Sequence, residues 1–296
     1  MNCNPSDRSC LDALTLDTII DAQQDLLQNA TTIDPSTGQG EPIRPVHDGS
    51  FIASTLDSSS PFPRVSKPIL ISTVLDEAGP AIYSTLPDTI PEDEFPFIVN
   101  ATFGTTRTNT ILASPFYQPS SNPNDSDART QLQTLGTDYL WKCSSWTFAR
   151  TWVRNGGRAY VGLYVVGATY PDNSGIPFCT QAGSVCHEDD IEIVVGKKDF
   201  FPFPPWLMLV FAPPQFGTVP NPTAAQATLT AQMHQRYKAF LRTGDPNTAH
   251  MEAWKPSTTS EVHAILLGGT GMAHIGACDP SFWGEAVQYD YQVYGI

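Results

Sequence analysis

The segment 127–167 constrains the fold most. "DARTQLQTLGTDYLWKCSSWTFARTWVRNGG" (127–157) has helical character throughout and reads as two helices, with Gly156-Gly157 as the stop. It runs directly into "RAYVGLYVVG" (158–167), an apolar run that reads as a buried strand. An earlier run, "KPILISTVLDEAG" (67–79), is a β-branched strand passing into a polar loop. "CLDALTLDTIIDAQQDLLQN" (10–29) is predicted to be an amphipathic helix. "TAAQATLTAQMHQRYKAFLRTGDPN" (223–247) is another, with Met233, Tyr237 and Phe240 on one face and Gly244-Asp245-Pro246 as its end. Strands alternating with helices predict an α/β fold with a mostly parallel sheet flanked by helices.

In such sheets, functional groups gather beyond the carboxyl ends of the strands. Glu77 stands at the end of the first strand. His187, in "SVCHEDDIEI" (184–193), lies in the loop that follows the second. On these residues alone, the two are either a catalytic pair or a solvated acid and a loop histidine. His47, His234, His250, His263 and His274 read as turn, strand or surface-leaning helix residues, and none has metal-ligand spacing with another.

Charge narrows the partners. A formal charge of −14 over 296 residues leaves nothing to neutralise phosphates, and it disfavours an anionic membrane surface. Cys3 and Cys10 enclose six residues, as do Cys179 and Cys186, and each couple reads as a local disulfide. Cys143 and Cys278 are then a long-range pair or two free thiols. Asn29, Asn100 and Asn124 lie in glycosylation sequons, which suit an oxidising, extracellular compartment. Residues 1–15 have neither the basic start nor the apolar run of a signal peptide. The apolar stretch 200–214 is Pro-interrupted and too short to span a bilayer.

Several segments, in order, resemble the type-B carboxylesterases, α/β-hydrolases related to cholinesterases and fungal lipases. They are "RPVHDGSFI" (44–52), "ILISTVLDEAG", "DYLWKCSSWTFARTWVRNGGRAYVGLYVV", "VCHEDDIEIV", "FLRTGDPN" and the fungal-style "CDPSFWGEAVQYDYQVYG". The resemblance implies a serine-type ester hydrolase acting on a small-molecule or lipid ester, secreted, without metal or organic cofactor. It assigns Glu77 as the orienting acid, with Asp76 as its exposed neighbour, and His187 as the general base, in the acid-then-histidine order of α/β-hydrolases.

Three departures qualify the resemblance. No serine lies in G-x-S-x-G and no His-Gly-Gly occurs, so nucleophile elbow and oxyanion hole are missing from these residues. The chain is therefore expected to be the C-terminal portion of one such domain, inactive and poorly soluble alone because half a sheet exposes an edge. The alternative is a non-catalytic, cholinesterase-like binding or adhesion protein, or a gene-model fragment. Glu188 stands where the family usually has glycine, Ala78 separates Glu77 from its usual glycine, and Glu188 beside the imidazole is expected to raise its pKa. Finally, Val195–Gln215 intervenes before "FGT", and removing these 21 residues restores the family pattern. It reads as an unspliced intron or as an apolar lid.

Overall fold

A computed structural model describes residues 3–4, 6–33, 50, 64–119, 126–195 and 221–294. The segment 44–52 except Ser50, Asn124 and the anomalous stretch 195–215 apart from Val195 lie outside the described residues. The chain divides into two units, Met1–Thr55 with Asp290–Ile296, and Leu56–Tyr289.

The smaller unit holds α1 (Arg8–Asp12) and α2 (Leu16–Ile33). Asp7 caps α1 by accepting the Cys10 N–H at 3.1 Å, and Cys3–Cys10 is disulfide-bonded. A break at 13–15 therefore splits the expected single helix in two. Asn29 lies on α2, its amide donating to the Asp25 carbonyl.

The larger unit is built on three parallel strands in the order β1 (Pro68–Val74), β2 (Arg158–Tyr164) and β3 (Ile265–Leu267). The parallel α/β arrangement is the expected one. β2 lies between the other two, and every residue after Arg158 is buried. This explains its unbroken apolar sequence, since a central strand must be apolar on both faces. Among the described strands β1 is an edge, only half-buried from Pro68 to Ser72. No helix among the described residues is long and apolar enough to cross a membrane.

After β1 come α3 (Gly79–Thr85) and α4 (Phe95–Ala113), which is interrupted at Gly104 where φ is 71°. Asn100 is exposed on α4. Next, α5 (Ala128–Gly136), a π-helical turn (Thr137–Lys142) and α6 (Cys143–Arg154) follow without a gap. The stretch predicted as two helices is thus one run, its axis adjusted by an altered hydrogen-bond register rather than by a break. Asp127 caps α5 through the Arg129 N–H. On α6, Cys143, Trp146, Ala149 and Arg150 are buried at helical spacing. Cys143 is bonded to Cys278, and the Arg150 guanidinium reaches the Cys278 carbonyl at 3.4 Å. Asp138 lies near both sulfurs, but sulfurs bonded to each other offer no thiolate to a metal.

The last long helix, α8 (Ala224–Thr243), follows the short α7 (Ile191–Val195). Thr223 and Gln226 form a capping box, and Gly244 closes the helix at φ 72°, a left-handed cap that suits glycine. Met233 is fully buried against Val74, Tyr164 and Trp254, with Tyr237 and Phe240 packed alongside. The Trp254 indole N–H donates to the Val161 carbonyl at 2.8 Å, so this buried polar group is satisfied. His234 does not lean to the surface. It is half-buried, and its Nε2–H donates to the Val194 carbonyl at 3.0 Å, because α8 packs against α7.

Gly136 and Ala78 touch where α5 crosses the start of α3. A Cβ added at Gly136 would lie 2.9 Å from that of Ala78, too close for two methyl carbons. Ala78, which separates Glu77 from its usual glycine, is accommodated by glycine opposite. Gly136→Ala is expected to cost about 1–3 kcal/mol in urea denaturation, most of it regained in the Gly136→Ala/Ala78→Gly pair.

Candidate active site

The site begins where β1 ends. Glu77 folds back over the strand terminus, and its Oε1 accepts the Val74 N–H at 2.9 Å. This bond fixes the carboxylate and leaves Oε2 aimed at the imidazole of His187, 2.5 Å from Nδ1. Glu77 is 7% exposed, so the contact is shielded on the acid's side. Ala78 N–H donates to the Thr137 hydroxyl, tying this loop to the π-helical turn. The same turn carries Trp141, whose ring centroid lies 5.8 Å from that of His187.

Asp76 is not the exposed neighbour expected from the sequence. It is 7% exposed and pairs with the histidine loop as an added rung of parallel sheet. Its N–H donates to the Val185 carbonyl at 2.8 Å, and its Oδ2 accepts the Val185 N–H at 3.0 Å. Gln133 donates to its other oxygen. Burial raises its pKa, partly offset by these donors. Asp76 thus fastens residue 185 beside residue 76, which brings Glu77 and His187 together across 110 residues of sequence.

The loop holding His187 is closed by the Cys179–Cys186 disulfide. Cys186 to Asp189 form a tight turn, with the Asp189 N–H donating to the Cys186 carbonyl at 3.0 Å. Glu188 occupies its third position at φ 74°. This left-handed conformation favours glycine, the residue the family usually has there. Glu188→Gly is therefore expected to stabilise the chain by about 0.5–1 kcal/mol, read from the urea midpoint, once glycine's extra chain entropy is set against the relieved strain.

The three consecutive acids differ in burial, with Asp189 buried and Glu188 and Asp190 intermediate. Glu188 is half-exposed. Asp189 is 2% exposed and accepts the Tyr170 N–H, the Cys186 N–H and the Asn173 amide at 2.8, 2.8 and 2.9 Å. Gly167 permits this clasp, since a Cβ there would meet Val185 and Asp189 at 2.6 and 2.8 Å. Asp190 is half-buried, and its pKa is raised by burial first and by the nearby Glu77 charge second.

The His187 side chain is 48% exposed, with Nε2 free of hydrogen-bond partners among the described residues. Its pKa is raised, chiefly by the hydrogen bond to Glu77, against a smaller lowering by burial; Glu188 and Asp190 push it further up. An imidazole held at Nδ1 by a carboxylate and open at Nε2 can accept a proton from an attacking hydroxyl.

The structure therefore places Glu77 and His187 together, and all three cysteine couples are bonded. His250, His263 and His274 are remote from the pair in sequence; His263 bonds Glu261 and the Pro256 carbonyl, His274 Nδ1 accepts the Gly276 N–H, and His250 takes a positive φ of 68°. Asp76, Asp189, Asn173 and Trp141 are the supporting residues that sequence reasoning missed. Only the acidic cluster beside His187 was visible.

Parallel strands, flanking helices and an acid–imidazole pair beyond the strands' carboxyl ends define an α/β protein of the hydrolase kind. The carboxylesterase family model matches residues 1–276, and the chain belongs to that family. It is 30% identical over 151 residues to the cAMP-regulated D2 protein of Dictyostelium discoideum, a match covering 48% of this chain and 26% of that protein. A solved thermophilic PNB esterase superposes with a TM-score of 0.46 and 15% identity, over 70% of this chain and 36% of the esterase. The chain thus spans well under half the length of either relative.

Proposed function

We propose that this chain supplies the general base and orienting acid of a serine-type carboxylic ester hydrolase. The observation that carries the reading is the 2.5 Å contact between His187 Nδ1 and Glu77 Oε2, with Nε2 open among the described residues. In this reading a serine outside these 296 residues gives its proton to Nε2 as its oxygen attacks the ester carbonyl. The proton passes to the departing alcohol, and a water deprotonated at Nε2 then releases the acid. The substrate is a small-molecule or lipid ester, and the chain is the C-terminal portion of one secreted, glycosylated domain. The apolar stretch 195–215 is proposed to be intron sequence read in frame, an idea that a mature transcript carrying those codons would sink.

The test is p-nitrophenyl butyrate turnover. The 296-residue chain alone is expected to give no acyl-enzyme burst. A longer product of the same gene carrying G-x-S-x-G is expected to turn over, and to lose about 10³-fold or more in kcat on His187→Ala. Turnover that survives His187→Ala in the longer product would overturn the assignment.

A further inference from the structure

We propose that Trp141 acts through His187, its indole holding the imidazole more tightly in the protonated form than in the neutral one. The helical run that carries Trp141 meets the site at every fourth residue. Gln133 on α5 donates to Asp76, and Thr137 at the start of the π-helical turn accepts the Ala78 N–H at 3.0 Å. Trp141, in the same turn, lies against His187. Residues four apart line one side of a helix, so a single face follows the acid loop and ends at the base. Asp76 and Ala78 flank Glu77 in the chain, so the first two contacts fix this face to the carboxylate that holds the imidazole.

The two ring centroids are 5.8 Å apart, with the planes tilted by 51°. A protonated imidazole spreads its charge over the ring, and a cation within about 6 Å of an indole centroid is attracted to the π face. The neutral ring carries no charge to attract. Trp141 is half-buried, so water screens this side of the imidazole only in part. Among the described residues, the charged groups facing His187 are carboxylates: Glu77 from the end of β1, and Glu188 and Asp190 from its own loop. Asp138 and Lys142, on the same turn as Trp141, are paired with each other. The helical run therefore acts on the imidazole through an uncharged ring. When a hydroxyl proton moves to Nε2, positive charge forms beside the indole, so the attraction is stronger in the transition state than before it.

This role rests on the reading of His187 as a base, but its measurement needs no turnover. The readout is the His187 pKa, followed by NMR of the imidazole in the disulfide-bonded full chain. Trp141→Leu keeps an apolar cover and removes the π face, and is expected to lower the pKa by about 0.4–0.7 pH unit. Trp141→Phe, with a weaker π face, is expected to lower it less. In a Glu77→Gln background Trp141→Leu should give a similar drop, since the indole acts on the ring itself. An unchanged or raised pKa in Trp141→Leu overturns the proposal, because the indole would then be apolar cover or present its edge. A drop that vanishes in the Glu77→Gln background also overturns it, because the indole would then only support the Glu77 contact. If Trp141→Leu does not fold, Trp141→Phe must show the drop, and its absence overturns the proposal. Absent ester turnover in the longer product, with the pKa changes intact, would overturn the proposed function and leave the role of Trp141 standing.

Discussion

Glu77→Gln is expected to bring the His187 pKa down toward 6.5 and to remove a pH dependence from folding. The cause of the raised value is first the hydrogen bond from the imidazole to Glu77, with the neighbouring carboxylates adding to it. Glutamine keeps the shape and loses the charge. Because the folded pKa lies above the unfolded one, the protonated imidazole's contribution is complete below pH 6.5. It is lost as pH rises through the folded value. The variant should therefore lose relative stability at acid pH and little at alkaline pH, which denaturation midpoints across pH 5–9 would reveal. In an active longer product, the acid limb of kcat/KM should also move down in the variant, while kcat falls because the tautomer is no longer fixed. An acid limb that stays in place would separate it from His187.

Cys143→Ser/Cys278→Ser is expected to cost about 4–5 kcal/mol, the largest loss from any one bridge. This bond spans 135 residues, whereas Cys3–Cys10 and Cys179–Cys186 each span 7. In the chain-entropy account, cross-linking restrains the unfolded chain more as the loop grows, and a short loop is worth about 2–3 kcal/mol. The long bridge also joins α6 to the segment whose carbonyl holds Arg150, so its loss loosens a buried guanidinium. Urea denaturation of the three double-serine variants gives the ranking directly. A long bridge worth no more than the short ones would place the stabilisation in the folded state instead. Losing Cys179–Cys186 should act differently, costing less stability but freeing the loop that presents His187.

How far the fold was legible depended on local signals. β2 was legible because a central strand is apolar throughout, and α8 because Met233, Tyr237 and Phe240 share one face and Gly244 marks its end. α4 went unread: "FPFIVNATFGTTRTNTILA" is rich in threonine and broken by Gly104, so its helical propensity is weak. The π-helical turn had no local signature. Its register is selected by packing, with Thr137 bonded to Ala78 and Trp141 set against His187. Asp76 was misread because an aspartate after a strand is ordinarily solvated, and its partner Val185 is 109 residues away.

The amino-acid sequence by itself determined the alternation of strands and helices, the cysteine couples at short spacing, and the acid and histidine at strand ends. These follow from periodicity and spacing, which act over a few residues. Only the tertiary structure decided that Glu77 and His187 meet, that Asp189 is a buried clasp rather than a surface charge, and that Glu188 sits in a glycine's conformation. Each of those depends on which backbone donors lie within about 3 Å of a carboxylate or carbonyl. That distance is set by elements folded together from far apart in the chain.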